Sequence, residues 1–329
     1  MAEIAVGGGI AGPAPGLAPH EQGDSMEEAM ELRGIIPPMT TPFRADGELQ
    51  LELVEGQVDW LIAQGVHGLA AGGSTGEGHA LDAAETRELL AATVEAAGGR
   101  VPVVAGIIVD STREAIRRGR LVQDLGVAAL QVTPVHYLFR PDDDAMVEHF
   151  RAVTAETGLP VIIYNVVPWT YLSPALLVRI MTEVPAVIGV KQSAGDLKLL
   201  ADLMLMAPPG KRIFSAVDAL LYPSFALGAH GAIAAIPSAA PGPCVALWDA
   251  VAAGDHARAH DLHRRLLPLW NALVGDNLPA CVRFAQACQG VAAGSSRAPM
   301  PAASPAQRRA IASALESLGI AVQPAERAA

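Results

Sequence analysis

From about residue 32 to residue 242 the chain alternates short, almost continuously apolar runs with longer segments whose apolar residues recur every three or four positions. Eight short runs stand out: Gly34–Thr40, Gly68–Gly72, Val101–Ile107, Ala128–Thr133, Pro160–Asn165, Val187–Lys191, Arg212–Ala216 and Gly231–Ile236. Runs of this length, apolar at successive positions, are expected of strands in a parallel sheet covered on both faces. The segments between them carry helix signals. Leu51, Val54, Val58, Leu61 and Ile62 recur at helical spacing, Ser111-Thr112-Arg113-Glu114 resembles a capping box, and glycines follow several of the segments where a left-handed cap is favourable.

Eight β/α units at intervals of roughly 20 to 35 residues predict a (β/α)8 TIM barrel, an α/β fold. A doubly wound sheet is the weaker alternative, because no strand is followed by a GxGxxG turn. Pro243–Val291 and Pro305–Leu318 are helical in pattern and too long for one barrel helix. The expected organisation is a tail over 1–31, the barrel over 32–242, a C-terminal helical region packed on it over 243–322, and a loose end over 323–329.

Composition narrows the function. The 329 residues carry a formal charge of −11 and only three lysines, Lys191, Lys198 and Lys211, against twenty arginines, with no long basic cluster. Nucleic-acid binding is therefore not expected. Cys244, Cys281 and Cys288 have neither disulfide nor zinc spacing and read as reduced core residues. Ala219–Trp248 lacks Asp, Glu, Lys and Arg, but five interruptions, Pro223, His230, Pro237, Pro241 and Pro243, rule out one continuous membrane-spanning helix. With no signal peptide visible, a cytoplasmic enzyme or binding protein is expected.

In such a barrel the chemistry sits at the C-terminal ends of the strands. Lys191 ends Val187-Ile188-Gly189-Val190-Lys191. Burial there lowers an amine's pKa and frees its lone pair to attack a ketone, although a lysine that snorkels out or pairs with a carboxylate would have the same sequence. Tyr164 ends another strand, where a hydroxyl can shuttle a proton or serve only as a core aromatic. Gly72-Gly73-Ser74-Thr75-Gly76-Glu77 offers hydroxyls and close backbone approach for a small carboxylate, or a capped turn and nothing more.

Together, GSTGE at Gly73–Glu77, YN at Tyr164-Asn165 and VIGVKQSAGDL at Val187–Leu197 resemble, in order and spacing, the dihydrodipicolinate synthase / N-acetylneuraminate lyase family of class I pyruvate aldolases. Pro38–Phe43 and Asn277-Leu278-Pro279 are similar too, and the resemblance runs from about Gly34 into the C-terminal helices. It implies a homotetramer and a Schiff base between Lys191 and pyruvate or another 2-oxo acid. Tyr164 would be the proton shuttle, Ser74 and Thr75 would hold the substrate carboxylate, with Ser74 also counted among the catalytic residues as a proton relay, and the backbone around Ile233 would help bind pyruvate. No metal or organic cofactor is implied.

Two departures bear on the second substrate. Where dihydrodipicolinate synthases carry an arginine after YNVP, this chain has Trp169, which offers no forked cation for a carboxylate. Where the family often has TP and two aromatics, the second reaching a neighbouring subunit's site, this chain has Thr133-Pro134-Val135-His136-Tyr137. Either His136 or Tyr137 could stand in for that residue. The expected function is an aldolase or lyase joining or parting pyruvate and an aldehyde, not aspartate semialdehyde. The alternatives are a 2-oxo-3-deoxy acid dehydratase, a 4-hydroxy-tetrahydrodipicolinate synthase, and a non-catalytic 2-oxo-acid-binding protein.

Overall fold

Residues 31–323 are described by a computed structural model, so all but the inner ends of the two expected tails lie outside the described residues. Eight strands follow one another in a single parallel sheet: β1 (Gly34–Ile35), β2 (Leu69–Ala71), β3 (Val103–Ile107), β4 (Ala129–Val132), β5 (Val161–Asn165), β6 (Val187–Gln192), β7 (Arg212–Ser215) and β8 (Gly231–Ala232). Each pairs with its successor from β2 onward, and β8 returns to pair with β1. The seam between β1 and β2 is closed just beyond β1. There Ala70 N–H donates to Pro37 O at 3.1 Å and Met39 N–H to Ala70 O at 2.7 Å. The first strand is far shorter than its apolar run because Pro37 and Pro38 have no N–H to give the ladder.

Helices α1 (Val54–Ala63), α2 (Ala83–Ala97), α3 (Thr112–Val122), α4 (Asp143–Thr157), α5 (Pro174–Glu183), α6 (Leu197–Met206) and α7 (Leu221–Ala226) alternate with the strands, and α8 (Ile236–Ala239) follows β8. Their ends follow local chemistry. Ser111 accepts the Glu114 N–H at 3.2 Å at the start of α3, while Asp82 and Glu85 form a complete capping box on α2. Gly98 and Gly158 close α2 and α4 in the left-handed conformation. The C-terminal region is not one long helical stretch but α9 (Pro241–Ala252), α10 (His256–Leu273) and α11 (Leu278–Ala287), then a non-helical link to α12 (Pro305–Ser317). The three cysteines are free and buried. No helix among the described residues is long and apolar enough to cross a membrane.

Apolar side chains segregate into two layers. Ile36, Ala70, Val104, Ala129, Ile162, Ile188, Phe214 and Ile233, one from each strand or its immediate end, pack together with Leu32 inside the barrel. Their neighbours Ile35, Leu69, Ala71, Val103, Ala105, Leu130 and Ile213 point outward and form the main core with the helices. On β6 the alternation slips once. Val161 pairs with Val187 but Ile162 pairs with Gly189, so β6 carries one extra residue, and Tyr164 comes opposite Lys191. Ile188 therefore points inward and Val190 outward, which leaves Lys191 inward. Without the irregularity, inward positions would fall at 188, 190 and 192. Gly189 permits it: a Cβ there would lie 2.1 Å from Arg212 O.

Candidate active site

At the C-terminal rim of the barrel interior the β5–β6 register sets Lys191 beside Tyr164, with Lys191 Nζ 3.7 Å from the centre of the phenol ring. Lys191 is 3% exposed. Burial pushes its amine down to about 7, and the opposing pull of the Asp218 carboxylate is the smaller effect. A sizeable fraction of the amine is therefore neutral near pH 7. The Tyr164 hydroxyl donates to Ser74 Oγ at 3.1 Å, which brings together residues from β5 and from the loop after β2. Burial raises the phenol to about 12 even though the bond to Ser74 acts the other way, so the hydroxyl keeps its proton through neutral pH.

The GSTGE loop is wound tightly. A Cβ at residue 78 would fall 1.8 Å from Gly72 O, and Gly78 N–H donates to Gly73 O at 2.9 Å. Ser74 is exposed and Thr75 buried, and among the described residues neither N–H donates to another group. Two N–H groups without a partner and two hydroxyls, on a loop that Tyr164 bonds from beside the buried amine, are the kind of groups that bind a small carboxylate. Ile233 lies just past β8, its N–H donating to Ser215 O at 3.0 Å and its side chain in the inner layer. Its backbone is thus at the same rim.

The remaining expected residues stand apart from this cluster. Trp169 is 68% exposed on the loop after β5, and its Nε1–H donates to His136 O at 2.8 Å. His136 is half-buried, with Nδ1 3.1 Å from Asp110 Oδ1 and from Pro134 O. Tyr137 is 69% exposed. With Leu138 and Phe139, also exposed, these side chains make an apolar lip joining the loops after β4 and β5.

Two polar groups at this end of the barrel were not anticipated from sequence. Asp218, in the turn after β7, accepts the Ile236 N–H at 2.6 Å. Its residue surface is partly open, but protein atoms enclose the carboxylate, and burial raises its acid to about 6. The signal that could have found it is isolation: it is the only Asp, Glu, Lys or Arg between Ile213 and Trp248. Gln131, on β4 and fully buried, has no partner for either amide atom among the described residues.

A family model described as the dihydrodipicolinate synthetase family matches residues 31–318. The chain belongs to that family. Among curated relatives, a 4-hydroxy-tetrahydrodipicolinate synthase of Symbiobacterium thermophilum is 37% identical over 290 residues, covering 87% of this chain and 98% of the relative. One of Maridesulfovibrio salexigens is 32% identical over 294 residues, covering 88% and 100%. Solved structures agree. Dihydrodipicolinate synthase from Aquifex aeolicus superposes with a TM-score of 0.83 at 25% identity, covering 89% of this chain and all of that one. A prophage protein of the dihydrodipicolinic acid synthase family from E. coli K12, in complex with pyruvate, gives 0.83 at 26% identity, covering 88% and 99%. Members of the dihydrodipicolinate synthetase family are pyruvate-dependent lyases and synthases, and this chain is accordingly an enzyme of the class I pyruvate aldolase type.

Proposed function

We propose that the protein is a Schiff-base aldolase or lyase that makes or cleaves a carbon–carbon bond between pyruvate and an aldehyde other than aspartate semialdehyde. The observation that carries this reading is the buried Lys191 amine held 3.7 Å from the Tyr164 ring, whose hydroxyl is bonded to Ser74. The neutral amine adds to the ketone carbon, and the carbinolamine loses water to give an iminium. Tyr164 moves the protons of these steps, with Ser74 as its relay. Ser74 and Thr75 hold the carboxylate, and the backbone at Ile233 lies against the pyruvyl group. The iminium then draws electrons from the methyl carbon as a proton leaves it. The resulting enamine carbon attacks the aldehyde, and hydrolysis returns the free lysine. Cleavage is the same sequence reversed. Because the lysine itself becomes the electrophile, no metal or organic cofactor takes part.

The exposed indole of Trp169 supports an aldehyde with a less polar or aromatic end, since it lacks the charge to bind a carboxylate. The exposure of Tyr137, against a His136 engaged with Asp110, supports Tyr137 as the side chain offered to a neighbouring subunit in a homotetramer. One rival has its own support: the relatives named 4-hydroxy-tetrahydrodipicolinate synthase favour aspartate semialdehyde as partner. Pyruvate followed by borohydride should leave a reduced pyruvyl group on Lys191, seen by peptide mass; an unmodified Lys191 would sink the mechanism. Product mass after incubating pyruvate with a panel of aldehydes then decides the partner, and efficient use of aspartate semialdehyde selects the rival.

A further inference from the structure

Glu77, the last residue of the GSTGE loop, has a left-handed backbone with φ 54°. Residues other than glycine hold that conformation only where their surroundings enforce it. Here the enforcement comes from the C-terminal region. Glu77 Oε1 lies 2.6 Å from Nη1 of Arg283 on α11, and the two side chains are 1% and 5% exposed. The contact is ionic rather than an aligned hydrogen bond. Glu77 Oε2 accepts the Arg297 N–H at 3.0 Å. Arg283 also donates to Thr41 O and, at 3.0 Å, to Ser296 Oγ, while the Thr41 hydroxyl donates to Gly76 O. One guanidinium thus ties the loop to the segment after β1 and to the link before α12.

We propose that Arg283 and Glu77 are positioning residues that set the affinity for the 2-oxo acid by holding the GSTGE loop and cancelling its charge. The proposal rests on the reading that Ser74 and Thr75 receive the substrate carboxylate. A pair of N–H groups grips an anion only when placed to within a fraction of an ångström. A second requirement is electrostatic. Glu77 puts a negative charge three residues from Ser74 in a buried setting, where it would repel an incoming carboxylate over several ångströms. Arg283 is the counter-charge, so its removal both loosens the loop and uncovers that repulsion, whereas removal of both charges leaves only the looseness.

The test measures borohydride trapping of Lys191 across pyruvate concentrations, alongside turnover. Arg283→Met is expected to raise the half-saturating pyruvate about 10- to 100-fold while the plateau of trapping and kcat stay within about threefold. The double variant Glu77→Gln, Arg283→Met should recover most of that loss, and Arg283→Lys, which keeps the charge but not the forked contacts, should fall between Arg283→Met and the unaltered chain. A folded Arg283→Met with unchanged half-saturation overturns the proposal, as does a double variant no better than the single. If Arg283→Met does not fold, Arg283→Lys and Glu77→Gln carry the comparison. If no variant folds, the pair is scaffold only and the proposal fails. Absence of trapping in the unaltered chain refutes the aldolase reading itself, separately from the behaviour of these variants.

Discussion

The floor of the candidate site and its lip are built on opposite principles. The floor consists of Lys191 and Tyr164 on adjacent strands, buried, and locked by ladder register and by the bond from Tyr164 to Ser74. The lip consists of Trp169, Tyr137, Leu138 and Phe139 on loops, all exposed, with the two loops tied by a hydrogen bond from Trp169 to the His136 carbonyl. Strands hold reacting groups to the tolerance that bond-making demands, while loops vary in length and residue without disturbing the sheet. On the function proposed above, the common step with pyruvate belongs to the floor and the choice of aldehyde to the lip.

That division can be broken most severely at Lys191. Lys191→Met is expected to abolish borohydride trapping and lower turnover on the order of 10⁴-fold or more. The same change should stabilise the fold. Because the folded amine titrates near 7, below its usual 10.5, the unfolded chain binds more protons between those values. The penalty of burying the lysine is thus greatest at and below pH 7 and fades as pH rises toward 10. The gain in Tm of Lys191→Met should shrink over that window, and a gain independent of pH would contradict the assigned burial. Tyr164→Phe comes next, with a loss in kcat on the order of 10²–10⁴-fold. Trapping should survive at long incubation, separating proton transfer from amine attack.

A profile of kcat/KM against pH should rise about tenfold per unit below about 7, as the amine loses its proton, and level above it. Since Asp218 raises the lysine's affinity for its proton, Asp218→Asn should move the rise to lower pH; a shift upward would contradict their coupling. At the lip, Trp169→Arg should improve kcat/KM for carboxylate-bearing aldehydes by about tenfold and leave pyruvate trapping unchanged. A parallel change in trapping would show that lip and floor are not separable. The smallest effect is expected at Leu138, an exposed leucine with φ 61°. Leu138→Gly should stabilise by about 0.5–1 kcal/mol, read as a Tm higher by a degree or two, because glycine takes that conformation without strain.

Legibility in the sequence follows the same division. Strand runs such as Val161–Asn165 were readable because burial on both faces leaves continuous apolar residues, and their C-terminal ends located Lys191 and Tyr164. Boundaries were less readable where backbone chemistry overrules side-chain pattern, as at Pro37 and Pro38, which cut β1 to two residues. Partnerships across long sequence distances were not readable. Nothing in GSTGE reveals that its glutamate meets an arginine 206 positions later, the separation of Glu77 and Arg283. Asp218 likewise resembles an ordinary turn acid until its enclosure is known. The lip was readable as a departure from the family pattern, but the tie from Trp169 to His136 depends on loop shape, which periodicity does not encode.

The extra residue in β6 has a consequence for how the gene tolerates change. Ile188 and Lys191 both face inward because the strand skips one beat at Gly189. Loss of the Gly189 codon would remove the extra residue and restore plain alternation, with Val187 and Val190 outward and Ile188 and Lys191 still inward. A side chain at Gly189 should be worse than its deletion: its Cβ would meet Arg212 O, and straightening the strand with every residue kept would turn Lys191 toward the outer helices, whereas length changes in the loop after β4 leave the parity of every strand untouched. The enzyme keeps its amine in place by counting as well as by composition.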